Sequence, residues 1–156
     1  MNIEHPTSNV QRPTKENRTV IQAYDLEQRL LEFASRIIHL VESLPKNRAG
    51  NHIAGQLLRS GTSALPNHGE AQAAESVDDF IHKLKLGLKE LRESFRWLRL
   101  IQYSGLIKPA TRVQPLSNET DELIRIFVAS VKTAEKRKLA VGARRLTVEK
   151  SVRVQS

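Results

Sequence analysis

The chain has 156 residues, enough for one domain with a substantial core and too few for two independent cores. Hydrophobic residues make up 39%, with only four Phe, one Trp and two Tyr, so Leu, Ile, Val and Ala dominate and packed helices are favoured over an aromatic-rich β-sandwich. The absence of Cys excludes disulfides, thiolate metal sites and thiol nucleophiles, and a net charge of +8 points to an anionic partner, nucleic acid above all.

Residues 1–24 carry Pro6 and Pro13 among polar side chains without periodicity, and read as a flexible N-terminal segment. No apolar signal core is visible there, and no window approaches the roughly 18 apolar residues of a membrane span. A cytoplasmic protein without membrane contact is the expectation.

From Asp25, a suitable N-cap, apolar residues fall at Leu26, Leu30, Phe33, Ile37, Leu40 and Leu44 in alternating steps of four and three, which predicts a first helix that Pro45 stops. A second helix is expected to begin near Asn51 and to carry Ile53, Leu57, Ser60, Gly61 and Ala64. Its small residues imply close approach of a neighbour, since a mid-helix Gly costs about 1 kcal/mol of propensity. Ser76, with Asp79 three residues on, resembles a capping box and starts a third helix. That helix keeps Phe80, Leu84, Leu88, Leu91, Phe95, Leu98 and Ile101 on one stripe, and Gly105 suits its C-terminal end. Residues 106–116 read as a connection. A fourth helix is expected after Ser117, with Leu123, Ile126, Phe127, Ser130, Val131 and Ala134 inward and an end near Arg137. The fold class is therefore all-α, an antiparallel up-down four-helix bundle over residues 25–137. The remaining segment, 138–156, is a basic tail. It holds Lys138, Arg144, Arg145, Lys150 and Arg153 against Glu149 alone, about half of the net charge.

Between the second and third helices lies SALPNHGEAQ, residues 63–72. His68 and Glu70 suggest acid-base chemistry, but Pro66 lacks the N–H that would bond the Thr62 carbonyl, so a bend within that turn is the simpler reading. Ser63, Pro66, Asn67 and Glu70 are then structural. Asn67 and Glu70 supply polar groups for the freed backbone or a neighbouring helix, and Glu90 is placed to pair across helices.

The third helix also carries Lys85, Lys89, Arg92, Arg96 and Arg99 in steps of four and three, so five cations share one face. Such a row can follow phosphates; the alternative is a solvated face partly neutralised by Glu93. His39, His52, His68 and His82 fall in no HExxH pattern, and no Glu has a His three residues later, so no metal or other cofactor is expected. Small helical ribonucleases use an Arg and a His a short fixed distance apart. Neither Arg48 with His52 nor Arg59 with His68 has that spacing, so no catalytic residue is assigned.

The run Gln56 to Ile101 resembles the four-helix bundle proteins encoded by intervening sequences within 23S ribosomal RNA genes. The matching pieces are Gln56–Ser63, Asn67, Glu70, Ala71–Ser76, Asp79–Glu90 and Trp97–Leu98, within a likeness that extends from about Tyr24 to Arg137. Leu65-Pro66 departs from the common form, which has Gly-Ala before Asn, while other branches place a proline one position earlier. The resemblance implies a four-helix bundle that assembles as a homopentamer. It also implies kinship with the basic accessory proteins of diversity-generating retroelements, which bind nucleic acid and work with a reverse transcriptase. The expected function is thus a non-enzymatic oligomeric bundle associated with RNA or DNA through Lys85, Lys89, Arg92, Arg96, Arg99, Arg144 and Arg145. A protein-interaction scaffold and, less favoured, a small ribonuclease are the alternatives.

Overall fold

A computed structural model of the chain describes the backbone of residues 15–154 and the side chains of residues 25–150. Expectations for residues 1–14, and for the side chain of Arg153, lie outside the described residues. Four helices and one short 3-10 turn account for the described fold: α1 Lys15–Glu42, α2 Arg48–Gln72, α3 Val77–Ser104, the turn Ala110–Val113, and α4 Gln114–Val154. Among the described residues there is no strand.

Caps place the helix ends. The Asn47 side chain accepts a hydrogen bond from the Gly50 amide at 2.9 Å, so α2 starts at Arg48, earlier than the expected Asn51. Ser76, in extended conformation, accepts from the Asp79 amide at 3.1 Å and starts α3. Gly105 closes α3 with φ of 67°, a left-handed conformation that Gly adopts without a Cβ penalty.

Three expected boundaries are corrected. Asp25 is not an N-cap, because α1 is already helical from Lys15 and no breaker separates the two. The stretch around Pro66, set between the second and third helices by the sequence, lies inside an element: α2 passes through Pro66 to Gln72, and the chain breaks at residues 73–76. Finally, α4 begins at Gln114, with Pro115 in its first turn where a missing N–H is harmless, and it continues past Arg137 to Val154. Lys136 and Arg137 match a helix end by charge, but no Pro or capping residue follows them. Gly142 alone does not stop a run otherwise rich in helix formers.

The most extensive interface is α2 against α3, followed by α3 against α4 and α1 against α2, with a lighter contact between α1 and α4. Antiparallel packing of α2 and α3 follows from their pairings, since Ser94 meets Ser60 at 2.9 Å while the earlier Lys83 meets the later Glu70. For α3 and α4 the same holds: Lys85 reaches Glu135, and Gln102 reaches Gln114.

The core is aliphatic with two phenylalanines, Phe33 and Phe127, among Leu30, Ile37, Leu57, Leu84, Leu91, Leu98, Ile101 and Leu123, all essentially inaccessible. All five expected α2 positions are buried. On α1, Val41 joins the stripe while Leu26 and Leu40 are only partly covered. On α3 the buried set is Ile81, Leu84, Gly87, Leu88, Leu91, Ser94, Leu98 and Ile101, so Phe80 and Phe95 flank the core and do not fill it. Ile126 and Ser130 are likewise only half-buried, whereas Leu116 and Thr120 are inward. Size explains the substitution on α3. Small residues occupy the close approaches: a Cβ placed on Gly87 would lie 2.7 Å from the Phe127 ring where α3 meets α4, and one on Gly61 the same distance from Ile37 where α2 meets α1.

Candidate nucleic-acid interface

Lys85, Lys89, Arg92, Arg96 and Arg99 are all exposed on α3. Their spacing winds with the helix, so the row follows the seam between α3 and α4. Lys85, Lys89, Arg92 and Arg96 line a shallow groove of about 470 Å³ together with Leu88, Val128 and Lys132. Lys132 belongs to this surface too, and the sequence pattern of α4 gives no sign of it, because only the fold sets that side of α4 beside α3.

Glu90 and Glu93 of α3 point the other way. Arg59 on α2 bonds Glu90 at 3.1 Å and also bonds Glu93, while the Trp97 indole N–H donates to Glu93 at 3.3 Å. Burial pushes the Glu93 carboxyl up, but the hydrogen bonds from Arg59 and Trp97 outweigh it and hold the group below its ordinary value. The Arg59 guanidinium is raised by the same hydrogen bond to Glu93. Glu93 therefore does not neutralise the basic row by a salt bridge. Lys85 pairs with Glu135 at 2.7 Å; Lys89, Arg92, Arg96 and Arg99 form no salt bridge among the described residues. Between Lys85 and Arg99 the acids of α3, Glu90 and Glu93, thus face α2, whereas four of its five bases line the groove against α4.

Arg144 and Arg145 are exposed on the far part of α4, beside Val141, Val148 and Glu149. Arg144 lies about 14 Å farther along α4 than Glu135, at 1.5 Å rise per residue. The structure therefore does not bring these two arginines into the α3 row; they form a separate basic surface beyond the bundle.

The SALPNHGEAQ residues resolve differently. Ser63 Oγ donates to the Arg59 carbonyl at 2.6 Å, and Thr62 donates to the Leu58 carbonyl at 2.7 Å. Asn67 Nδ2 donates to the Ser63 carbonyl at 2.8 Å, adding a side-chain donor next to the backbone bond that Pro66 cannot make. Glu70 pairs with Lys83 on α3, whose ammonium that hydrogen bond raises. Pro66 itself is exposed.

His68 is buried at 2% exposure, with its Nδ1 lacking any partner, its Nε2 at 3.5 Å from the Gln72 amide nitrogen and its ring tilted against Phe127. Burial lowers its pKa, opposed by the more distant Glu27 charge. Arg59 lies nine positions earlier, on the opposite side of α2, and is engaged by α3; the two residues do not form a site. Arg48 and His52 are both exposed, with His52 edge-on to Trp97 at 6.1 Å between ring centres. Among the described residues no group of three His, Cys, Asp or Glu side chains is placed to hold a metal ion, and no helix is long and apolar enough to cross a membrane.

Comparison with known proteins agrees with this fold. A solved structure of an S23 ribosomal protein family member of unknown function from Bacteroides thetaiotaomicron is similar at 33% identity, with a TM-score of 0.65 over 70% of this chain and 97% of that chain. The comparison with curated proteins gave no match. The family model for the 23S rRNA-intervening sequence protein matches residues 22–129, which hold most of the bundle and the whole α3 row. The chain belongs to the 23S rRNA-intervening sequence protein family.

Proposed function

We propose that the protein is a non-enzymatic oligomeric bundle that associates with RNA through the α3–α4 face. The observation that carries this reading is the lack, among the described residues, of any salt bridge to Lys89, Arg92, Arg96 and Arg99, which share one face beside Lys132. A face that neutralised its cations internally would have little left for phosphates, whereas each phosphate neutralised here releases counterions and makes binding salt-dependent. The family's name, tied to 23S rRNA, supports RNA as the anion. Arg144 and Arg145 supply a second, sequence-independent contact. Electrophoretic shifts at about 50 mM salt, where electrostatic binding is strongest, test the reading: no shift with any RNA or DNA would end it. Charge reversal at Arg92 and Arg96 together is expected to weaken binding to all sequences and to flatten the salt slope by about 2.

A second reading rests on α4. Leu139, Val141, Leu146 and Val148 are 57–74% exposed on a helix that has left the bundle, which favours assembly with protein. Self-assembly as a homopentamer, in keeping with the family resemblance, and a reverse-transcriptase or other protein partner are the forms this takes. Light-scattering mass tests the first, and a monomer at high concentration would refute it. For the second, a pull-down that survives nuclease treatment is required.

A further inference from the structure

The basic row does not stop at Arg99. Continuing Lys85, Lys89, Arg92, Arg96 and Arg99 by one more step of four reaches Tyr103, so an aromatic ring occupies the next place on the same helical face. Tyr103 is 95% exposed, the most exposed large apolar side chain among the described residues. It borders an open groove of about 600 Å³ that is lined by Arg96, Arg99, Leu100, Gln102 and, from α4, Gln114. Gln102 Nε2 donates to Gln114 Oε1 at 3.1 Å, which ties the floor of the groove across the two helices.

We propose that this groove is a binding site for an unpaired nucleotide, with the base stacked on Tyr103 and its flanking phosphates on Arg96 and Arg99. The inference rests on the nucleic-acid reading above and narrows it to single-stranded RNA, or to an RNA end or loop. Three features carry it. A tyrosine ring has a flat face that stacks on any base, whereas bases inside a duplex are already stacked and offer none. Two arginines one and two turns before the ring stand where the adjoining phosphates of a stacked base would fall. The amides of Gln102 and Gln114, bonded to each other, to Ser117 and to Asn118, each keep a second N–H and a second lone pair for a base edge. From Lys85 to Tyr103 the row spans about 27 Å, the length of roughly eight phosphates of one stacked strand.

Fluorescence anisotropy with a labelled single-stranded RNA and the matching duplex, on the full chain and its variants, tests the site. Tyr103→Ala is expected to weaken single-strand binding about ten-fold and to leave duplex binding unchanged, with Tyr103→Phe retaining wild-type affinity. Because the ring is exposed, neither change threatens folding. If Tyr103→Ala binds single strands as the wild type does, while Arg92→Glu loses affinity, the stacking site is wrong and the basic-face reading stands. Loss of affinity in Tyr103→Phe equal to that in Tyr103→Ala also overturns stacking. Should the wild type bind neither RNA, both readings fall.

Discussion

His68 is the residue whose character changes most between sequence and structure. In the sequence it is one of four helical histidines outside any metal or ribonuclease pattern; buried at 2% exposure against Phe127, it is a core residue. His68→Ala is now expected to cost about 1–3 kcal/mol in a denaturant titration. The buried ring also imposes a pH dependence. Its pKa is lowered in the fold, so the unfolded chain binds the proton more readily; stability is complete above the ordinary value of 6.5 and declines as pH falls from there through the lowered folded value. Melting temperature between pH 7.5 and 5 checks this, and His68→Leu should remove that part of the decline. Glycines give a second residue-scale contrast. Around Gly55 and Gly69 no atom would meet an added Cβ within 4 Å, so Ala at either should stabilise by up to about 1 kcal/mol. At Gly61 and Gly87 the new methyl would press on the buried Ile37 and Phe127 at 2.7 Å, and overpacking of about 1–3 kcal/mol outweighs the helical gain. A parallel rise in melting temperature for all four Ala variants would contradict the packing described. Asn67→Leu is expected to lose about 1 kcal/mol with its bond to the Ser63 carbonyl, while the exposed Glu70–Lys83 pair makes Glu70→Leu nearly neutral.

Among the elements, α1 and α4 share the lightest interface, and one paired contact does much to fasten it. Arg29 donates to both oxygens of Glu119, each bond at 3.0 Å, and the Glu119 hydrogen bond raises the guanidinium against a smaller effect of burial. Arg29→Lys keeps the charge and loses the fork, so it should destabilise by about 1 kcal/mol, detectable by chemical denaturation; an unchanged midpoint would show the clamp to be dispensable. Beyond Arg137, α4 offers exposed apolar and basic side chains, and Lys138 with Asp78 ties its beginning to α3. A lone helix of that length is marginal in water. Amides of residues 140–150 should therefore exchange quickly with solvent in isolation and gain protection once RNA or a second subunit binds; equal protection in both states would argue against a binding role for this segment. Element types were legible in the sequence because Ser76 and Gly105 have local chemistry that fixes a helix end. The far end of α4 was not, since charge at Lys136 and Arg137 suggests a terminus without enforcing one. Phe80 and Phe95 misled for a related reason: periodicity counts apolar residues but does not weigh their volume, and at the tight α2–α3 seam Ser94 fits where Phe does not.

At the scale of the whole molecule, the row of cations could be read from sequence, but its surroundings could not. Whether Glu93 would neutralise that row depended on the position of Arg59, 34 residues earlier, and Lys132 joined the row only when α4 folded beside α3. Raising salt from 50 to 200 mM should weaken RNA binding at least a hundred-fold if five cations engage phosphates, as isothermal titration or anisotropy would show. The sorting of charges over residues 85–99 of α3, Glu90 and Glu93 toward α2 and the basic row toward α4, has a kinetic consequence as well. A helix with opposite signs on its two flanks is a sideways dipole, and the field of a polyanion exerts a torque on it before any atoms touch. On the proposed RNA-binding reading, the protein would be turned to present its α4 side during approach, so that encounters beginning in the wrong orientation are corrected in flight. The association rate, more than the lifetime of the complex, is then what dissolved salt takes away.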